Sequence, residues 1–245
     1  MKFWKNLIII VVIFIAAYFI VDIGRYFVYP DVAYLKKNRP GKTAFMEYRE
    51  ETWHKKRINK SINTAWVPLS EISPYVVKAV IIAEDDNFWS HEGFDYSAMQ
   101  KALEKDIKKK KFQAGGSTIS QQLAKNLYLT PAKLPTRKIK EAILTWRIER
   151  QLSKRRIIEI YLNVAEWGDG IFGIELAAQA NFGKHAANLT ASEAATLAAV
   201  LPSPRRYKIN GESGYVAGQA ERIYQIMVRR GIVIEEYDDV IQAKE

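Results

Sequence analysis

The chain has 245 residues, a formal net charge of +10 and no cysteine, and 48% of its residues are apolar. That apolar share excludes a disordered chain, and the missing thiols exclude disulfides and thiolate metal sites. The positive charge points to an acidic partner: nucleic acid, anionic lipid or a phosphorylated substrate.

Leu7 to Val21 is free of charge. At about 1.5 Å per residue it falls short of a roughly 30 Å hydrocarbon core unless its flanks contribute. Asn6, Ile23 and Gly24 extend it, with Lys5 and Arg25 placed to snorkel toward the interfaces. The run ends Tyr18-Phe19-Ile20-Val21-Asp22-Ile23, without the small residues of a cleavage site, so an uncleaved signal anchor is expected over 6–24 behind a short tail, 1–5. Lys2 and Lys5 precede it, while Arg25, Lys36, Lys37, Arg39 and Lys42 follow, so charge alone leaves its orientation open. Residues 25–72 are aromatic and basic, broken by Pro30, Pro40 and Gly41. They read as a membrane-proximal segment and the start of the folded domain. Gly41-Lys42-Thr43 lacks the earlier glycine of a phosphate loop, since position 36 is Lys.

A core is expected over 73–232, followed by a tail, 233–245. Ser73-Pro74 predicts a helix start, with serine as cap. Val77, Val80 and Ile81 form its apolar stripe, which Glu84 continues. A carboxylate ending such a stripe points to a core or cleft floor, where it pairs with a cation or titrates high. The plainer alternative is a frayed end with Glu84 in water. His91-Glu92 lacks the second histidine of a zinc helix, because position 95 is Asp. Asp95 can cap a helix whose buried side is Met99, Ala102, Leu103 and Ile107. The lysines Lys108 to Lys111 are either solvated surface or a basic lid.

Gly115-Gly116 leads into a helix capped by Ser117 or Thr118, with Ile119, Leu123 and Leu127 as its apolar stripe. Thr118, Gln122 and Lys125 share a polar face. Glycines before a helix start leave backbone N–H groups suited to an anion, and a lysine further along adds full charge. An ordinary amphipathic helix after a flexible loop has the same spacing. Arg137 and Glu141, at i and i+4, most simply make a surface salt bridge, with Ile139, Ile143 and Trp146 on the other side. Ile157 to Asn163 is a short apolar helix. Gly168, Gly170 and Gly173 follow no strand pattern, so they suit close backbone packing better than dinucleotide binding. Thr190 and Glu193 form a capping box, and a last helix runs from Tyr215 to Arg230 and ends at Gly231. With almost no alternating pattern, the domain is mainly α.

Five of these stretches, taken in their order along the chain, carry a family resemblance. They are Glu84-Asp85-Asp86-Asn87-Phe88-Trp89-Ser90-His91-Glu92-Gly93, Gly115 to Gln122, Arg137-Lys138-Ile139-Lys140-Glu141, Ile157 to Asn163, and Gly168 to Ile174. From about Ser73 to Tyr207 the chain resembles the family 51 peptidoglycan glycosyltransferases. It departs at Asp86-Asn87, where that family often has arginines, and at Asn181, where it commonly has tyrosine.

The resemblance implies a lysozyme-like, two-lobed helical domain behind a single transmembrane helix, with a small hydrophobic part dipping into the membrane. It implies that lipid II and the lipid-linked nascent glycan are the substrates, with membrane lipids as further partners and no nucleic acid. Cell-wall synthesis or division proteins are the protein partners it suggests. By resemblance Glu84 is the catalytic base. Glu141 is a second glutamate that organises the donor pyrophosphate or a divalent cation, magnesium or manganese, and no cofactor is tightly bound. Thr118, Gln122, Lys125, Asn126 and Arg137 match substrate-cleft residues. Asp85, Phe88, His91, Gly116 and Ser117 match motif positions of a mainly structural kind. The absence of S-x-x-K resembles the monofunctional type, without transpeptidase activity. Polymerisable lipid II lies on the outer face, which places the expected catalytic domain on the outer (periplasmic) side of the bacterial cytoplasmic membrane.

The residue types suit that chemistry. A sugar hydroxyl is weakly acidic and needs a carboxylate base, while departing pyrophosphate needs cations and N–H donors. The runner-up is a membrane-anchored muramidase or lytic transglycosylase, which shares the broad fold and a catalytic glutamate but needs no pyrophosphate cradle.

Overall fold

Helix α1 (Lys2–Gly24) makes the uncharged run part of a 23-residue rod, about 34 Å long, so the flanks supply the length that Leu7–Val21 lacks. Phe3–Phe27 is long and apolar enough to cross a membrane, and its most apolar 18-residue window is not buried in the protein. The computed structural model describes residues 2–109, 115–131, 135–209 and 214–233, so Lys110 and Lys111 of the lysine run, and the tail from 234 on, lie outside the described residues.

Thr43 caps α2 (Ala44–Lys55), its hydroxyl accepting from the Met46 N–H, and Met46, Arg49 and Trp53 face inward. Helix α3 (Pro74–Glu84) starts at the predicted proline, but the Ser73 hydroxyl does not cap it. That hydroxyl donates to the Leu189 carbonyl at 2.8 Å, a tertiary bond that competes with the local one. The buried stripe of α3 is Val76, Ala79, Val80 and Ile81, with Val77 only half-buried. Helix α4 (Tyr96–Lys109) is capped by Asp95, which accepts from the Ala98 N–H at 2.8 Å.

The expected buried side of α4 faces outward, with Met99, Leu103 and Ile107 being 39%, 53% and 65% exposed. The periodicity is real, but a period identifies an apolar face without saying what covers it. Helices α5 (Ile119–Tyr128), α6 (Pro135–Gln151) and α7 (Lys154–Val164) follow. On α6 the same correction applies. Ile139 and Trp146 are exposed, and the inward face is Glu141, Leu144, Thr145 and Ile148.

Strands β1 (Glu166–Gly168) and β2 (Ile171–Phe172) make a small antiparallel hairpin. A Cβ at Gly170 would sit 2.7 Å from the Trp53 ring, and one at Gly173 would sit 2.9 Å from the Asn163 carbonyl oxygen. Both have positive φ, and their missing Cβ lets the Trp53 ring approach Gly170 and the Asn163 carbonyl approach Gly173. Then come α8 (Ile174–Phe182), α9 (Ala191–Val200) with the Thr190–Glu193 capping box, and α10 (Gly214–Arg229), which gives way to Gly231 at φ 65°.

The helices form two groups. In one, α3, α9 and α10 pack together; in the other, α2, α6 and α7 gather around α5. This is the mainly helical, two-lobed architecture expected. The end of α1 docks on α6: Asp22 meets Lys140 at 2.5 Å and Arg25 at 3.3 Å. Arg147 donates to the carbonyls of Tyr26 and Val28 at 3.0 and 2.9 Å. The apolar helix α1 is thereby attached to the helix that bears Arg137 and Glu141.

Candidate active site

Glu84 ends α3 where the two helix groups meet. Its Oε2 accepts from Gln122 Nε2 at 2.6 Å, and its Oε1 is buried with no hydrogen-bond partner among the described residues. Burial raises the Glu84 pKa, Gln122 and Lys125 oppose the rise, and Asp85 adds to it. The hydroxyl of Tyr161, on α7, reaches the other end of the same amide, Gln122 Oε1, at 3.0 Å.

Asp85 has a different task. Its carboxylate accepts from the Ile119 N–H at 2.9 Å and from His91 Nε2 at 2.9 and 3.1 Å. Because His91 Nδ1 accepts from the Gly93 N–H, the ring proton is assigned to Nε2, facing Asp85. Burial raises the Asp85 pKa, while His91, the Ile119 N–H and Lys154 oppose it. Phe88 is fully buried beside His91, at a ring-centroid distance of 6.2 Å.

Internal bonds take up several of the N–H groups expected to form an anion cradle at the start of α5. Thr118, not Ser117, caps the helix, in a capping box with Gln121. The Thr118 N–H goes to Gln121 Oε1, that of Ile119 to Asp85, that of Gln121 to Thr118 Oγ1, and that of Gln122 to the Thr118 carbonyl. The anion at this positive helix end is the protein's own Asp85. The Thr118 hydroxyl also donates to the Gly93 carbonyl at 2.7 Å, so it is committed to internal bonds and does not share an open face with Gln122 and Lys125.

Two clefts adjoin the Glu84–Gln122 pair. Gln122, Lys125 and Asn126 line one of about 270 Å³, walled also by Tyr161, Glu166 and Arg205. Glu84 and Asp85 line another of about 300 Å³, with Lys101, Gly116, Ser117 and Thr118. Gly116 is pressed against α4, where an added Cβ would lie 3.3 Å from Met99 Cα.

Arg137 and Glu141 make no exposed surface bridge. The Glu141 side chain is 4% exposed and takes Arg137 at 3.1 Å on one oxygen and Lys138 on the other. Lys138 also reaches Ser117 Oγ at 3.4 Å, tying α6 to the second cleft. Burial lowers the Lys125 pKa and Arg137 and Lys138 lower it further, against the favourable charges of Glu141 and Glu84. Both Glu141 oxygens are engaged by cations, so a divalent ion shared between Glu141 and a pyrophosphate would have to displace Arg137 or Lys138.

Both residues of the unusual pair Asp86-Asn87 are engaged locally. Arg230 makes a bidentate bridge to Asp86, and Asn87 Nδ2 donates to Asp95 at 2.8 Å. Two neighbours of the site were missed in the sequence. Lys138 was legible, since it lies i, i+3 from Glu141. Tyr161 was not, because its helical spacing from Ile157 reads as core.

The family model described as Transglycosylase matches residues 50–228. A biosynthetic peptidoglycan transglycosylase of Nitrosospira multiformis is 43% identical over 230 residues, covering 94% of this chain and 97% of that protein. Its namesake in Aromatoleum aromaticum is 51% identical over 189 residues, 77% of this chain and 82% of that one. One in Dechloromonas aromatica is 50% identical over 171 residues, 70% of this chain and 74% of that one.

Proposed function

This chain belongs to the transglycosylase family and is a peptidoglycan glycosyltransferase, and from that premise we propose that it elongates a β-1,4 glycan with Glu84 as the general base. The observation that carries the assignment is the bare, buried Oε1 of Glu84 beside an Oε2 already held by Gln122. The acceptor is the GlcNAc 4-hydroxyl of lipid II and the donor is the lipid-pyrophosphate-linked glycan. The hydroxyl proton passes to Oε1 as its oxygen bonds to the donor anomeric carbon. The bond from that carbon to the pyrophosphate oxygen breaks on the opposite face, inverting the α-linked donor to a β product. A base with a raised pKa suits a weakly acidic hydroxyl.

Lys125, Arg137 and Lys138 supply the positive charge that the departing pyrophosphate needs, and Glu141 holds the latter two in place. Asn126 lines the donor side.

The outward apolar faces of α4 and α6 suit contact with lipid acyl chains, and α1 suits a single pass with the catalytic domain outside, where lipid II is polymerised. The unit of 73–232 is then the catalytic core, and 25–72 is its membrane-proximal start.

The test is Glu84→Gln with labelled lipid II, resolving polymer from substrate and from glycan fragments. The expected result is a loss of polymerisation of about 10²–10⁴-fold with lipid II binding retained. A folded Glu84→Gln protein polymerising within about tenfold of the parent would falsify the assignment.

A further inference from the structure

We propose that Tyr161 is a positioning residue for the glycosyl transfer: its hydroxyl fixes the Gln122 amide, so that Gln122 holds Oε2 of Glu84 and leaves Oε1 bare for the proton. The proposal rests on Glu84 being the base. Three helices meet in this relay, with Tyr161 on α7, Gln122 on α5 and Glu84 on α3, linked at 3.0 and 2.6 Å.

The donor directions follow from the groups themselves. An ionised carboxylate only accepts, so the NH2 end of Gln122 faces Glu84, its carbonyl end faces Tyr161, and the phenol donates. Donation from Tyr161 polarises the amide and strengthens its grip on Oε2. When Oε1 takes the proton, Oε2 stays an acceptor, so the relay spans the chemical step without rearranging. Without the phenol, a protonated Glu84 could turn the amide round and donate to its carbonyl end, which moves the proton to the wrong oxygen. Burial, together with the charges of Glu84 and Asp85, holds the Tyr161 phenol protonated well above its ordinary range, so it remains a donor across working pH. Tyr161 is 1% exposed, and its ring edges the cleft wall; the competing role is packing alone.

The two roles separate in the pH profile. Because the Gln122 bond lowers the pKa of Glu84, weakening it should move the acidic limb of the rate profile upward. Tyr161→Phe keeps the ring and removes only the hydroxyl. In the full-length protein with lipid II, it should reduce kcat about tenfold, leave KM near the parent's, and shift that limb upward. Gln122→Met should shift the limb the same way, and the double variant should be no worse than Gln122→Met alone, as expected of residues acting in series. Incorporating 3,5-difluorotyrosine at 161, which makes a more acidic phenol on a folded ring, should move the limb downward. A parental limb in both Tyr161→Phe and the fluorinated protein, or strict additivity with Gln122→Met, overturns the relay. An active Glu84→Gln protein would instead remove the base on which the relay depends; an inactive one beside an unmoved limb in Tyr161→Phe removes the relay only.

Discussion

Glu141→Gln probes whether the second glutamate is structural or part of the electrostatics of the site. The amide keeps the shape and one acceptor oxygen but removes the charge that Arg137 and Lys138 share. Breaking a fully buried ion pair costs about 3–5 kcal/mol. Here Arg137 is 25% and Lys138 53% exposed, so water recovers much of that. A loss of about 1–2 kcal/mol is expected, or roughly 2–8 °C in Tm for a chain of this size.

The functional effect runs through Lys125. Glu141 is the strongest of the charges that hold its ammonium protonated, against burial and two neighbouring cations. Removing that charge lowers the Lys125 pKa further. Positive charge facing the pyrophosphate is then lost at lower pH, and the alkaline limb of the rate profile moves down. The assay is polymerisation of labelled lipid II across pH, with thermal melts at each pH. A protein that melts lower but keeps the parent's alkaline limb would refute the coupling and leave Glu141 as a strut for α6.

Arg137→Ala should reduce polymerisation by about 10²-fold or more, with lysine at 137 rescuing poorly for want of the planar fork; parent-like activity removes Arg137 from the site. Asp95 accepts from the Ala98 N–H, Asn87 and Ser97, which pull its pKa from 3.8 to about 2. That depressed value contributes about 1–2 kcal/mol of stability above pH 3.8, lost as pH falls through about 2. Asp95→Asn keeps the cap acceptor and should flatten that part of the acid-unfolding curve; an unchanged curve in urea titrations from pH 4 to pH 2 would show that Asp95 does not titrate there. Alkaline phosphatase fused after Leu35 should be active in cells, and an inactive fusion would reverse the proposed topology.

Local chemistry was readable in the sequence wherever the partner lies within a few residues. The Thr190–Glu193 capping box, the Pro74 helix start, the stop at Gly231 and the stripe of Ile119, Leu123 and Leu127 are all present, because each depends on one or two turns of backbone. The ordered motifs likewise identified the family, since they depend on residue types and order alone. Helix α2 escaped notice because a charge, Arg49, occupies its inward stripe, and its partners Glu166 and Asp169 lie more than a hundred residues away.

Only the tertiary structure decided what covers an apolar face and what satisfies a polar one. Periodicity marked Met99, Leu103 and Ile107 as a stripe but could not say that the face would turn outward. Helix polarity marked the start of α5 as an anion site, and folding placed Asp85, thirty-odd residues upstream, on its Ile119 N–H. Gln122, by sequence a cleft residue, became the link between Glu84 and Tyr161. Such assignments are settled by competition among distant groups for the same donor, acceptor or surface, and that competition exists only once the chain has brought them together.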